Sequence, residues 1–529
     1  MYPLPFVARI VYDSPVSRSR SSRRANASRS WRLFAILAAA LSACGDSSTS
    51  SAPSEPTLCN EELIASRAQT DEPAPGNLAA RGLPAWYDDA KLGIMIHWGV
   101  WSVPGWAETT LDPERVADPK DPLYLLAPGG VENFLRHNPY TEWYENSLAI
   151  DGTATQEFHR ETYGAGFPYT GFQPLFEEQA EKWQPETWAR LFTEAGARYV
   201  VLVTKHHDGY ALWPTGVENP HRPGWNSRRD VVGELASAVR ERCLRLGVYY
   251  SGGIDWSFKP PPMATILDFL HSAPPGEEYA RYMEAHYREL ITRYQPSILW
   301  NDITAPAAAY LATLFEDYYA GVPDGVVNDR WGLDPNAFHK DFRTVEYDVR
   351  DEITADKWET VRGIGRTFGF NRNQRPEDYG TPEKYIHLLI DVVSKNGNLL
   401  LNVGPMADGT LPEPQVDILR ALGRWVALYG EAIFATRPWA RFGGTTDQGI
   451  AVRFTQRRDR SVAYAILLGT PSGDTVTLRG FPETPAAIRL VGTGDPLAWE
   501  RIASDLRIAL PGSLPAQPAH AFAIELAGT

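Results

Sequence analysis

From Leu92 to Gly404 the chain repeats one pattern: an apolar, β-rich run that turns polar or charged at its C-terminal end, then a segment of helical period. The runs are LGIMIHWG (92–99), ARYVVLVTKHH (197–207), RLGVYYSG (245–252), PSILWND (296–302), GVVNDRW (325–331), FRTVEYDV (342–349), GRTFGFN (365–371) and NLLLNVG (398–404). Between them lie helical patterns such as WQPETWARLFTEAG, DVVGELASAVRERC, EYARYMEAHYRELITRY and TPEKYIHLLIDVVSK. Alternating strands and helices predict a parallel sheet under helical cover. The polar ends carry His97, Lys205-His206-His207-Asp208, Asn301-Asp302, Asn328-Asp329-Arg330, Glu346, Asn371-Arg372-Asn373 and Asn402. A barrel gathers all its C-terminal strand ends at one mouth, where its chemistry sits. An open doubly wound sheet gathers only those at a switch point, and no G-x-G-x-x-G follows a strand. The expected fold is therefore α/β, with a (β/α)8-like TIM barrel over 81–430. After Gly430 the pattern becomes short alternating runs (GIAVRFTQ, SVAYAILLG, DTVTLRGF, AAIRLVG) between Gly, Pro and Asp turns. That predicts a small C-terminal antiparallel β-sandwich over 431–529, accessory in role because it clusters no acid, His or metal-ligand spacing.

The N-terminus reads differently. Trp31 to Cys44 is WRLFAILAAALSAC, an Arg-flanked apolar run too short to span a bilayer as a mature helix, and ends in small residues and a cysteine. Residues 1–43 are expected to be an N-terminal extension and signal peptide. Leu41-Ser42-Ala43-Cys44 resembles a bacterial lipobox, which makes Cys44 the lipidation site. The protein is then exported, periplasmic or anchored to the outer membrane, since Gly45 replaces the Asp that marks inner-membrane retention. Residues 44–80, rich in Ser, Thr, Pro and Glu, read as a flexible linker. Of the other two cysteines, Cys59 lies in a polar stretch and Cys243 continues the apolar helical face of Val232, Ala236 and Val239. They are not expected to pair, and Cys243 is expected in the core.

Charge narrows the partners. The formal net charge is −14, and removing residues 1–43 with their seven Arg and one Asp takes it to about −20, which opposes binding to nucleic acid. Neutral sugars meet no such barrier, and 17 Trp supply flat faces for them, although core packing accounts for most of these rings. A membrane partner is expected only through the lipid anchor, and the sequence leaves a homo-oligomer open.

Glycosidic hydrolysis needs one carboxyl group to protonate the leaving oxygen and a second to attack or stabilise the anomeric carbon. Asp302 and Glu346 both end apolar strands, and Trp300 flanks the former. Taken alone, an Asp there is more often a helix cap or turn residue, and a strand-end Glu is as often merely solvated. Several segments in order resemble glycoside hydrolase family 29, the α-L-fucosidases: GIMIHWG (93–99), NPYTEWY (138–144), TKHHDGY (204–210), GVYYS (247–251), LWND (299–302), VNDRW (327–331) and NLLLNVGP (398–405). The resemblance implies a retaining, exo-acting α-L-fucosidase working on fucosylated glycans, with no cofactor. It makes Asp302 the nucleophile and Glu346, in Asp341-Phe342-Arg343-Thr344-Val345-Glu346-Tyr347, the general acid/base. Glu142 and Glu359 are the alternative acid/bases, and Glu142 also suits a sugar hydroxyl. It further places His97, Trp143, His206, His207, Tyr249, Trp300 and Arg330 around the sugar, with Phe368 against its methyl group. Met95, two residues before His97, would soften that methyl wall. No metal is expected, because neighbours such as His206 and His207 on an extended strand point to opposite faces. Two rivals remain at this stage: a retaining hydrolase for another sugar, and a catalytically silent fucose-binding lectin.

Overall fold

The computed structural model describes residue 78 and residues 81–112, 130–307 and 309–527. The signal, lipobox and most of the linker lie outside the described residues. Eight parallel strands form one curled sheet: β1 (Leu92–Ile96), β2 (Tyr199–Lys205), β3 (Arg245–Ser251), β4 (Ile298–Asp302), β5 (Val326–Val327), β6 (Arg343–Glu346), β7 (Trp358–Gly363) and β8 (Gly397–Val403). Their order is β5-β4-β3-β2-β1-β8-β7-β6, the expected (β/α)8-like barrel with its ladder interrupted between β5 and β6. Asp341 spans that gap: its N–H donates to Val327 O and its carboxylate accepts from Val327 N, at 2.9 and 2.7 Å.

The strand period of two sorts the apolar residues into two cores. Met95, Tyr199, Val201, Val203, Tyr249, Ile298, Trp300, Val326, Val361 and Leu400 fill the barrel interior. Ile94, Ile96, Val200, Leu202, Val248, Tyr250, Leu299, Leu399 and Leu401 face the helices instead. Both faces are buried, which is why the strands read as continuous apolar runs. Gly93 makes the interior possible, since a Cβ there would lie 2.2 Å from the ring of Tyr199. The helices are unevenly spread. Helices follow β2, β3, β4, β7 and β8, and several short ones fill the long β1–β2 connection, but β5–β6 and β6–β7 carry none. On this arc Arg330 stands in the loop after β5 and Glu346 at the end of β6, with loops in place of helices between the strands.

Three sequence expectations fail. The seventh strand is Trp358–Gly363, and GRTFGFN (365–371) is the loop beyond it. Cys243 is an exposed residue, not a core one, because its helix ends at Arg240 and Cys243 turns into left-handed backbone at φ 60°. It is also disulfide-bonded, with its partner outside the described residues. The third failure concerns the His pair and is described with the site.

The C-terminal region forms a five-stranded antiparallel sheet, ordered β13 (Pro485–Leu490), β16 (His520–Leu526), β11 (Val462–Leu467), β10 (Ala451–Arg457), β9 (Thr436–Thr445), and a three-stranded one of β12 (Thr475–Leu478), β15 (Asp505–Ala509) and β14 (Trp499–Ile502). Val452, Phe454, Val476, Leu478, Leu506, Ile508, Phe522 and Ile524 make a single core between them, the sandwich expected. The other face of the larger sheet, through Tyr464, Ile466, Ala521 and Ala523, joins the core over the barrel helices.

Candidate active site at the barrel mouth

Trp300 and Asp302, two apart on β4, both face the barrel interior. Asp302 sits at the mouth with 11 % of its side chain exposed. Tyr249 of β3 donates its O–H to Asp302 Oδ2 at 2.7 Å, and Arg330 Nη1 donates to Oδ1 at 2.8 Å. Burial alone would raise this carboxyl group, but the Arg330 guanidinium and the Tyr249 bond outweigh it and hold its pKa below the usual range. Glu346, closing β6, is 35 % exposed on its side chain and accepts from Nη1 and Nη2 of the same Arg330, each at 3.3 Å. Its pKa is raised, first by burial and also by the charge of Asp302, against the pull of Arg330. Because one nitrogen touches both groups, Asp302 Oδ1 and Glu346 Oε2 are at most about 6 Å apart, short of the roughly 6.5–9.5 Å of an inverting pair.

The backbone just past each carboxylate is unusual. Ile303 and Thr304 after Asp302 have φ of 62° and 100°, and Tyr347 after Glu346 has φ of 51°. β-branched and aromatic residues avoid this region, so both turns carry strain of the kind found at functional sites.

The histidines are held neutral with defined free nitrogens. Asn402 donates its amide N–H to Phe368 O at 2.7 Å, so its oxygen must accept from His97 Nδ1 at 2.5 Å. Ser251 donates its O–H to Ile254 O at 2.7 Å, so its oxygen accepts from His207 Nδ1 at 2.6 Å. Each ring then keeps Nε2 as an acceptor. Burial pushes His97 down to about 4 and His207 to about 3, and His206 well down too. His206 and His207 do not point apart as expected. β2 ends at Lys205, so strand alternation no longer applies, and their ring centres are 3.9 Å apart. Among the described residues no group of three His, Cys, Asp or Glu is arranged to hold a metal ion.

Around these groups the rings form a continuous wall. Tyr249 stacks on Trp300 at 5.4 Å and on His206 at 5.8 Å, Trp143 meets His207 edge-on at 5.1 Å, and Phe368 stacks on His97 at 5.0 Å. Tyr140 and Tyr347 flank Phe368, and Met95 belongs to the same interior cluster. With His97 also edge-on to His206 at 5.6 Å, ten of the eleven site residues that the family resemblance singled out connect through these contacts, and Glu142 adjoins them through the backbone of Gly369, next to Phe368. Glu142 is nearly sealed and accepts from Gly369 N at 2.9 Å, and burial raises it to about 7. Glu359 lies deeper. It accepts from Tyr199 O–H, Tyr87 O–H and Trp300 Nε1 at 2.5, 2.9 and 3.0 Å, a closed floor beneath the site. Sequence reasoning missed Ser251, Asn402 as an orienter, Tyr140, Tyr347 and Thr344. The last was findable, since it is two residues before Glu346 and shares its face of β6.

Comparison with known proteins places this geometry. The α-L-fucosidase family model matches residues 58–431, and that of the α-L-fucosidase C-terminal domain matches 447–527. The human tissue α-L-fucosidase is 32% identical over 86% of this chain and 90% of its own. Among solved structures, an α-L-fucosynthase of Thermotoga maritima in complex with α-L-Fuc-(1-2)-β-L-Fuc-N3 is 41% identical, with a TM-score of 0.76 over 84% of this chain and 98% of that one. The Thermotoga maritima α-fucosidase in complex with a mechanism-based inhibitor is 40% identical, with a TM-score of 0.75 over 86% and 99%.

Proposed function

The chain belongs to the α-L-fucosidase family, and from that premise we propose that Asp302 is the nucleophile and Glu346 the acid/base of its retaining, exo-acting hydrolysis of terminal α-L-fucose. The observation that carries the assignment is Arg330, whose guanidinium touches both carboxylates: it holds Asp302 below the usual range against burial, while burial and the charge of Asp302 raise Glu346 in spite of it. A pair split in this way supplies an ionised nucleophile beside a protonated acid.

Asp302 attacks the anomeric carbon while Glu346 delivers its proton to the departing oxygen, giving a fucosyl ester on Asp302 and a free aglycone. The ester removes the negative charge that had raised Glu346, so Glu346 now takes a proton from water, which attacks the ester and releases fucose with retained configuration. The greater exposure of Glu346 suits the side on which aglycone and water exchange. Nε2 of His97 and of His207 can each accept from a sugar hydroxyl, and Phe368, with Tyr140 and Tyr347, offers an apolar wall to the C5 methyl group. Trp143, His206, Tyr249 and Trp300 shape the remaining walls, and Glu142 can donate to or accept from a hydroxyl. A panel of aryl glycosides, with product configuration followed by NMR, tests the reading. Release of α-L-fucose from the α-L-fucoside alone is expected. Turnover only of another glycoside, or fucose binding without turnover of any, would overturn it.

We further propose that the protein is exported and acylated at Cys44. The disulfide of Cys243 supports export, since such bonds persist in oxidising compartments. The chain has three cysteines, so a lipid on Cys44 requires the bond to be Cys59–Cys243. Full-length protein expressed in a Gram-negative host is expected to fractionate with membranes, and Cys44→Ser to be soluble. Peptide mapping that finds Cys44 joined to Cys243 would sink the anchor.

A further inference from the structure

Arg330 can tune two carboxylates only if something fixes where its guanidinium lies between them. Asp302 and Glu346 cannot do so, because each pulls it towards itself. It lies over Trp300, with the guanidinium carbon 4.7 Å from the ring centre. Its backbone is held where the carbonyl accepts from Asn301 Nδ2 at 2.7 Å and from Thr304 N at 3.1 Å. Neither contact sets how its N–H groups are shared between the carboxylates.

The nitrogen that bonds neither carboxylate does. Arg330 Nε donates to Thr344 Oγ1 at 2.8 Å. Thr344 has one hydroxyl proton, and Asp329 Oδ1, at 2.8 Å, takes it; the same oxygen accepts Thr344 N at 3.0 Å. The direction of each bond is therefore fixed: Thr344 Oγ1 must accept from Arg330 because its proton is committed to Asp329. Asp329 and Thr344 are both buried, so water does not compete for these bonds.

We propose that Thr344, backed by Asp329, is a positioning residue for the known reaction: its hydroxyl sets how the Arg330 guanidinium is shared between nucleophile and acid/base. Without it the guanidinium settles on Asp302, to which it is already closer, and leaves Glu346. The other groups that face Glu346 are Asp302, Glu142, Tyr140, Tyr249 and Tyr347. Arg330 is the cation among them and the one in contact with Thr344. Glu359 and Asp329 also face Arg330; Glu359 does not touch Thr344, whereas Asp329 loses the hydroxyl bond in Thr344→Val and Thr344→Ala, which favours its protonated form, and keeps only the bond from the backbone N–H of residue 344.

The inference rests on Glu346 as acid/base, and its test separates the two. The pH profile of kcat/KM on an aryl α-L-fucoside is measured for wild type, Thr344→Val, Thr344→Ala, Thr344→Ser and Glu346→Ala. Losing the guanidinium makes Glu346 hold its proton to higher pH, so the upper limb in Thr344→Val and Thr344→Ala is expected to rise by about one unit. Their kcat/KM at the optimum is expected to fall about tenfold or more. Thr344→Ser, which restores the hydroxyl, is expected to return both to wild type. An upper limb that stays in place or moves down while activity falls would overturn the proposal, as would a Ser variant no better than Ala. If neither Val nor Ala folds, by circular dichroism, Thr344 is a structural residue and the proposal is equally overturned. An upper limb that survives in Glu346→Ala instead indicts the acid/base assignment and leaves the Arg330–Thr344 geometry to be read against the true acid.

Discussion

Asp302→Gly is expected to lose about 10⁴-fold or more in turnover of an aryl α-L-fucoside, on the scale of removing a group on which covalent catalysis depends. Added azide is expected to restore turnover, with β-L-fucosyl azide as product. The geometry supports rescue as well as loss. Tyr249 and Arg330 donate to the two oxygens of Asp302 and remain in place when the carboxylate is removed. They leave an anion-binding notch at the face from which the nucleophile attacks, and a small linear anion can occupy it. Attack by azide from that face inverts the anomeric carbon once, whereas the wild-type enzyme inverts it twice. Product configuration therefore reports which face Asp302 served. Turnover without azide above about 1 % of wild type, or an α-azide, would move the nucleophile elsewhere.

How much of this could be read from the chain depends on whether the determinant was local. Barrel strands are apolar on both faces and polar at one end, so seven of the eight strands and the mouth residues stand out in the sequence. β7 does not. Its inward Glu359 is satisfied by Tyr87, Tyr199 and Trp300, far away along the chain, so WETVRG looks polar although it is wholly buried. The aromatic run just after it was the more strand-like text. The His206–His207 pair fails for a related reason. Alternation holds only within a strand, and β2 stops at Lys205, which lets the next two rings come together. Cys243 shows the limit of helical period, because three residues beyond the helix end the left-handed turn carries it to the surface. Glu346 could be named only through the family resemblance. What physically singles it out is a shared guanidinium arriving from β5, and no spacing along the chain encodes that contact.

For Glu346→Ala the expected effect depends on the leaving group. With a poorly activated aglycone the departing oxygen needs the proton, and kcat/KM is expected to fall about 10²–10⁴-fold. A nitrophenolate leaves without it, so formation of the fucosyl-enzyme should be much less affected while its hydrolysis, lacking a base, becomes slow. The result is a burst followed by a depressed steady state. Azide needs no deprotonation, so it should relieve that step and yield the α-azide, with configuration retained. The pH profile carries the sign. Wild type works where Asp302 is ionised and Glu346 protonated: activity is lost as pH falls through the lowered pKa of Asp302 and again as it rises through the raised pKa of Glu346. The substitution should remove the upper loss and leave the lower one. Glu142 is the competitor to beat, since burial raises it to about 7 and a pKa alone would favour it. Geometry argues against it: its carboxyl is committed to Gly369 N and the residue is only 1 % exposed, whereas the Glu346 side chain is 35 % exposed, as a group that protonates a departing aglycone should be. If the upper limb and the α-azide belong to Glu142→Gln rather than to Glu346→Ala, the proton comes from the sealed side of the site. The opening beside Glu346 would then serve only the passage of the aglycone.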